Sequence, residues 1–294
     1  MNLKQLFLAS LVGTVVLTGC SSNETPETET ETPGTQLEET GTGTETETTE
    51  GFTGTAKLER LYDATGAKTD VVVTEITFEN GTPTDLSIDV LMDGQSKKEL
   101  AMSGEYDMKN EGGNWAEQME LLEAYIVEND FDTTKVNIST DAGNTDAVTG
   151  VSIKVATYLT FVDELIANVK EGKTEQTGFT GVESAEQTVE GSTDVIMVDV
   201  VFDNGTPVNL VIDTKTDAGM KRELVEAGEY VMANESATWT EQVDALAAFI
   251  VANNFDLDAV TLSTDAGNTD AVAGVSIKVG GYLPVIQAAL DQVK

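Results

Sequence analysis

Two hydrophobic periodicities follow one another along this chain, and the pair occurs twice. Apolar and polar positions alternate from Val71 to Met92 around Asn80-Gly81, a dipeptide that favours a two-residue hairpin turn, and the same pattern surrounds Asn204-Gly205. Each unit is therefore expected to open with a β-hairpin or meander. Trp115, Met119, Leu122 and Ile126 then fall at helical spacing, as do Trp239, Val243, Leu246 and Ile250, which predicts one amphipathic helix per unit. A short strand is expected at Val136 to Ser139 and again at Val260 to Ser263. Val155, Leu159, Val162, Ile166 and Val169 mark a closing helix, matched by Val279, Leu283, Ile286, Leu290 and Val293. The predicted class is α+β, each unit a small antiparallel sheet with amphipathic helices.

The recurrence is a tandem duplication. Gly51-Phe52-Thr53-Gly54 returns as Gly178-Phe179-Thr180-Gly181, and Phe78-Glu79-Asn80-Gly81-Thr82-Pro83 returns as Phe202-Asp203-Asn204-Gly205-Thr206-Pro207. From Phe78 to Lys170 the copies align without a gap. Repeats of this length are whole domains, not solenoid units, so two homologous domains are expected at 51–172 and 173–294.

The first fifty residues follow a different logic. Lys4 precedes an apolar run from Leu6 to Leu17 that is too short for a permanent bilayer span and reads as a signal peptide over residues 1–19. Leu17-Thr18-Gly19-Cys20 resembles the lipobox of bacterial lipoproteins, in which the cysteine carries the lipid, so the mature chain is expected outside the cytoplasm, anchored to the cell membrane through Cys20. Residues 20–50 are Thr, Glu, Gly and Pro with little to bury, and are expected to form a disordered tether.

Composition narrows the chemistry. The 294 residues contain 52 acids against 16 bases, no histidine and one cysteine. Histidine-based catalytic triads, histidine-ligated haem and all-cysteine metal clusters are therefore excluded for this chain alone, as is an intrachain disulfide. A formal charge of -36 disfavours nucleic-acid partners.

The longest block shared by the copies runs from Ser139 to Val155 and from Ser263 to Val279, with one difference, Thr149 against Ala273. Within it, Asp146-Ala147-Val148-Thr149-Gly150-Val151-Ser152 resembles the flavinylation motif of FMN-binding domains: Asp, two variable residues, Ser or Thr, Gly, Ala, then Thr or Ser. Val151 and Val275 depart from that pattern where Ala is usual, Ser stands at the acceptor position where Thr is more common, and Ala273 lacks the hydroxyl of Thr149.

That resemblance implies that an FAD-dependent FMN transferase places FMN on Ser152 and Ser276, giving two covalent FMN groups. Asp146 and Asp270 would hold a metal or orient the hydroxyl, Thr149 would share the first site, and Gly150 and Gly274 would leave room for a bulky group. A phosphate ahead of the closing helix would meet free backbone N–H groups. The wider similarity is to the flavin lipoproteins of Gram-positive extracellular electron transfer. It implies an electron carrier, not a self-contained enzyme, fed by a membrane quinone or NADH dehydrogenase and discharging to an acceptor such as ferric iron, with flavin-dependent ferric or quinone reductase activity as a measurable by-product. The alternative is a non-redox surface binding or adhesion lipoprotein, with a fragment of the signal peptide acting as a pheromone. Other readings concern single features: a calcium loop at Asp141 to Asp146, and core positions for Trp115, Trp239, Tyr158 and Tyr282 in place of flavin stacking.

Overall fold

A computed structural model describes residues 51–109, 113–233 and 237–293. The expected signal peptide, Cys20 and the expected tether lie outside the described residues. Residues 49–294 cluster as one compact unit containing two similar four-stranded antiparallel sheets and six α-helices, an α+β architecture. No described helix is long and apolar enough to cross a membrane.

In the first repeat, β1 (Gly54–Leu61), β2 (Val71–Glu79), β3 (Thr82–Met92) and β4 (Gln95–Ser96) are joined in sequence order. The β2–β3 turn is the one the sequence predicts: Asn80 and Gly81 take φ of 51° and 77°, the left-handed pair that a twisted hairpin requires. The Gly-Phe-Thr-Gly repeat belongs to the same device. Thr53 Oγ1 accepts from Asn80 N at 2.9 Å, Gly81 N donates to Phe52 O at 2.8 Å, and the Phe52 and Phe78 rings lie 5.8 Å apart. The two motifs recur together because one ties down the other.

Strand alternation sends Leu58, Val72, Ile76, Phe78, Leu86 and Ile88 to one face. That face is covered by α2 (Trp115–Glu128) and α3 (Ala156–Lys170), while α1 (Lys97–Ser103) follows the sheet directly. α2 begins where a complete capping box forms: Asn114 Oδ1 accepts from Glu117 N, and Glu117 Oε2 accepts from Asn114 N. The second repeat reproduces this with β5 (Gly181–Thr188), β6 (Val195–Asp203), β7 (Thr206–Thr216), β8 (Gly219–Met220), α4 (Lys221–Glu226), α5 (Trp239–Ala252) and α6 (Tyr282–Leu290), and Thr238 and Glu241 form its capping box.

Two expectations are corrected. Val136 to Ser139 is not a strand: Asp132 caps a 3-10 turn over Thr133–Val136, and only Ile138 then pairs, by one bridge to Thr145. Val260 to Ser263 behaves alike, with a single bridge from Leu262 to Thr269 after a 3-10 turn at Leu257–Ala259. The closing helices also differ from the expected stripe: α3 buries Leu159, Val162 and Val169 as expected but over a wider face, and the face of α6 is shifted by one position. Tyr158 and Leu165 are buried in α3 while Ile166 is only partly so, and α6 buries Tyr282, Val285, Ile286 and Ala289. α6 starts only two residues before Pro284, which therefore sits in the first turn, where a missing N–H costs no helical bond.

The repeats meet along the edge of β1. Glu59 N donates to Gln176 Oε1 at 2.6 Å, Thr180 Oγ1 donates to Glu59 O at 3.0 Å, and Leu61, Val71 and Val201 form a small shared apolar cluster. The edge-facing N–H and C=O of Glu59 are thus satisfied by the joining segment and the second repeat.

The duplication also supplies an internal experiment. Thr74 is fully buried on β2 and its Oγ1 has no hydrogen-bond partner, whereas the equivalent residue of β6 is Val198. Thr74→Val removes the unpaired hydroxyl at nearly constant shape, so it is expected to stabilise the fold by about 1 kcal/mol, read as a raised midpoint at unchanged slope in denaturant unfolding.

Candidate functional site

The loop between the 3-10 turn and α3 is built from its own side chains. Ser139 N donates to Asn144 O at 2.8 Å, Asn144 N donates to Thr140 Oγ1 at 3.1 Å, and Thr145 Oγ1 donates to Val136 O at 2.6 Å. Asn144 Nδ2 reaches forward to Ser152 O at 2.8 Å. Asn268, Thr264 and Ser276 repeat these contacts in the second copy, including the 2.8 Å bond from Asn268 Nδ2 to Ser276 O. Gly150 and Gly274 have φ of 90° and 80°, so a left-handed backbone demands glycine there in addition to any room a ligand needs. Val151 and Val275, the departures from the flavinylation motif, are buried in their respective cores.

Gln118 holds the candidate acceptor in place. This α2 residue is fully buried, and its Oε1 accepts from Ser152 N at 2.7 Å, from Ile153 N at 3.2 Å and from Ser152 Oγ at 3.1 Å. Two backbone N–H groups can only donate, which fixes the accepting atom as oxygen and turns Nε2 towards Gly113 O at 3.3 Å. Gln242 does the same for Ser276, with matching distances of 2.7, 3.1 and 3.1 Å. The serine hydroxyl shares one accepting oxygen with two backbone donors, and both serines are exposed. Each is thus oriented and reachable.

Ser152 lines a cavity of about 470 Å³, within the range of small-molecule sites. Its wall includes Tyr62, Tyr106, Trp115 and Tyr158. Trp115 and Tyr158 meet edge to face at 6.3 Å, and Tyr62 lies 5.7 Å from Tyr158. Burial pushes the Tyr158 phenol far above the ordinary tyrosine value, so it is neutral at physiological pH and available as a hydrogen-bond donor. Lys68, Lys97 and Lys154 also line the cavity, together with Asp70. In a chain with 16 basic residues, three lysines at one cavity form a local cationic site that suits an anionic ligand. Lys97 Nζ sits 4.6 Å from the centre of the Tyr106 ring and 4.8 Å from that of Trp115; Lys221 holds the equivalent place over Tyr230 and Trp239, at 4.4 and 4.9 Å.

The sequence-predicted residues divide accordingly. Ser152 and Ser276 are exposed and backed by a buried glutamine. Asp146, Asp270 and Thr149 are exposed on the loop, and among the described residues no hydrogen bond joins Asp146 to Ser152 or Asp270 to Ser276. Among the described residues no cluster of three or more acidic or thiol ligands is placed to hold a metal ion. The expected phosphate seat at the helix start is already partly filled: Val155 N and Ala156 N both donate to Gly143 O, at 2.7 and 3.2 Å. Trp115 and Trp239 are core residues at 2 % exposure, yet Trp115 also forms part of the cavity wall.

Gln118, Gln242 and the lysines were not found by sequence reasoning. The signal for the glutamines is Trp-Ala-Glu-Gln118 against Trp-Thr-Glu-Gln242, where a polar residue holds a position on the apolar stripe of the helix in both copies.

The chain matches no protein-family model, and no curated protein shows significant sequence similarity to it. Among solved structures, a solution NMR structure of a structural-genomics target protein from Clostridium thermocellum is similar over 38% of this chain and 90% of that one, with 25% sequence identity and a TM-score of 0.31.

Proposed function

We propose that this chain is an extracytoplasmic electron carrier, anchored by lipid at Cys20, with FMN attached covalently to Ser152 and Ser276. The observation that carries the reading is the placement of Ser152: an exposed hydroxyl, held by a buried glutamine, on a cavity lined by aromatic rings and lysines. The same serine–glutamine and lysine–aromatic contacts recur in the second repeat.

The residues present suit the group. Tyr62, Trp115 and Tyr158 offer an aromatic and apolar lining for a flat ring system, and Lys68, Lys97 and Lys154 offer positive charge for its phosphate and for the electron-accepting end of the ring. Flavin, once attached, supplies reversible two-electron redox chemistry that no side chain of this protein provides. Attachment asks of the chain only a serine oxygen. That oxygen bonds to the FMN-side phosphorus of FAD, the pyrophosphate bridge breaks, AMP departs, and the serine proton passes to the transferase. Gln118 and Gln242 aim the hydroxyl for this step, and the left-handed glycines turn the loop so that the hydroxyl is outside the core. Donor and acceptor follow as classes: a membrane quinone or NADH dehydrogenase on one side and ferric iron or a similar extracellular acceptor on the other. An acidic folded surface favours cationic acceptors and repels nucleic acid.

The test is intact mass after co-expression with an FAD-dependent FMN transferase. Two FMN additions are expected, with one lost in Ser152→Ala, one in Ser276→Ala and both, with the yellow colour, in the double variant. An unmodified, colourless chain would overturn the proposal and leave the surface-binding reading.

A further inference from the structure

The serine, glutamine, aromatic and lysine contacts are alike in the two repeats, but the surroundings of the first site are not repeated around the second. In the first repeat the β1–β2 connection runs over residues 62–70, closed by the bond from Tyr62 N to Asp70 O at 2.9 Å, and it contributes Tyr62, Lys68 and Asp70 to the cavity. In the second, the bond from Val189 N to Asp194 O at 2.8 Å closes a connection three residues shorter. Val189, 37 % exposed, stands where Tyr62 does, and Ser192 stands for Lys68. Val90 and Met92, which line the first cavity, are replaced by Thr214 and Thr216. The longer connection is also braced from outside: Gly66 O accepts from Asn209 Nδ2 of β7 at 2.9 Å, and a Cβ on Gly66 would stand 2.8 Å from Asn209 Cβ.

We propose that the two sites are unequal stations. The 62–70 connection, braced on the second repeat, encloses the group carried by Ser152, while the shorter connection leaves the group on Ser276 open to bulky extracellular acceptors. This rests on the flavin reading above. Tyr62 and Lys68 are its positioning residues. An aromatic ring and an ammonium group narrow the first cavity where the second repeat has an exposed valine and a serine, and a loop fixed at its tip keeps them there. Reactions with soluble or mineral acceptors are therefore assigned mainly to the second repeat.

Single-site chains separate the two stations. Ser276→Ala leaves flavin only on Ser152, and Ser152→Ala leaves it only on Ser276; mass confirms the loading of each. Quenching of flavin fluorescence by acrylamide, a neutral probe indifferent to the lysines, then reads access. The quenching slope is expected to be several-fold smaller for the Ser152 flavin. Adding Tyr62→Val and Lys68→Ser to the Ser276→Ala chain is expected to raise it towards the value for Ser276. Asn209→Ala, which removes the brace from outside the cavity, is expected to move it in the same direction. Two loaded chains with equal slopes, or a slope unmoved by both sets of changes, would overturn the inference while the flavin reading stood. Absence of flavin from both chains would overturn the reading and the inference together.

Discussion

Gln118→Leu is expected to reduce FMN attachment at Ser152 by roughly tenfold or more while leaving Ser276 fully modified, a loss worth at least about 1.4 kcal/mol in transition-state terms. The reason lies in what Gln118 Oε1 holds. Two backbone N–H groups and the serine hydroxyl converge on that atom from the segment Ser152–Ile153, and leucine accepts from none of them. Each inward-facing donor left without a partner costs about 1–3 kcal/mol, so the segment is expected to move outward to hydrate its amides. The hydroxyl then loses both its position and its orientation relative to an incoming FAD. Gln118→Glu keeps an oxygen acceptor on the same stem and is expected to retain most of the attachment. The measurement is stepwise intact mass over time of exposure to the transferase, with Ser276 as the internal standard in the same molecule. Equal attachment rates at the two serines in the Gln118→Leu chain would remove the glutamine from any role in aiming the acceptor. A failure that Glu rescues distinguishes aiming from general loss of fold.

How much of this was legible in the sequence depends on the range of the interaction. The Asn80-Gly81 hairpin was legible because the turn dictates its own residues, and α2 because an apolar stripe of period 3.6 runs along the whole element. The short strand at Val136 to Ser139 was misread because its apolar alternation is real while its pairing partner is missing. Asp132 commits the chain to a 3-10 turn just before it, and only Ile138 finds a bridge. The closing helices were placed, and Leu159, Val162 and Val169 are buried as expected, but the buried face is wider in α3 and off by one position in α6, because Tyr158 and Tyr282 turn inward to meet Trp115 and Trp239 from another helix. No local pattern encodes that meeting.

The candidate site divides along the same line. The two serines were visible through a local motif and its duplication. Their glutamines, 34 residues upstream, and the lysines that gather at the first cavity are brought together only by the fold. The Gln was written into the apolar stripe of both helices, and a buried polar residue of that kind requires a partner. The acidic residues of the motif, which a local reading favours, make no bond to the serines among the described residues, whereas the glutamines do, and three lysines line the first cavity.

Trp115→Ala is expected to cost about 3–5 kcal/mol and to lower the melting of the first repeat by about 10–20 °C, leaving the second repeat close to its original midpoint. Trp115 is 2 % exposed and starts the face of α2 that continues through Met119, Leu122 and Ile126, each wholly buried against the sheet and α3. Alanine there opens a space that the two helices cannot close without drawing α2 away from its capping box. It also removes the edge contact to Tyr158 and one of the two rings beneath Lys97 Nζ. The effect is expected to stay local because each repeat has its own apolar core, and the shared cluster consists of Leu61, Val71 and Val201 with Leu91 and Val208 at its margin. Trp239→Ala should give the mirror result, with loss of the bond from its Nε1 to Tyr282 Oη at 3.3 Å. Calorimetry of each variant against the parent chain decides the matter. A melt that resolves into two transitions, only one of which moves, is the expected outcome. A single transition shifted equally by either substitution would mean that the bonds along β1, few as they are, couple the repeats into one cooperative unit. The brace from Asn209 to Gly66 would then link the stability of one repeat to the access of the other.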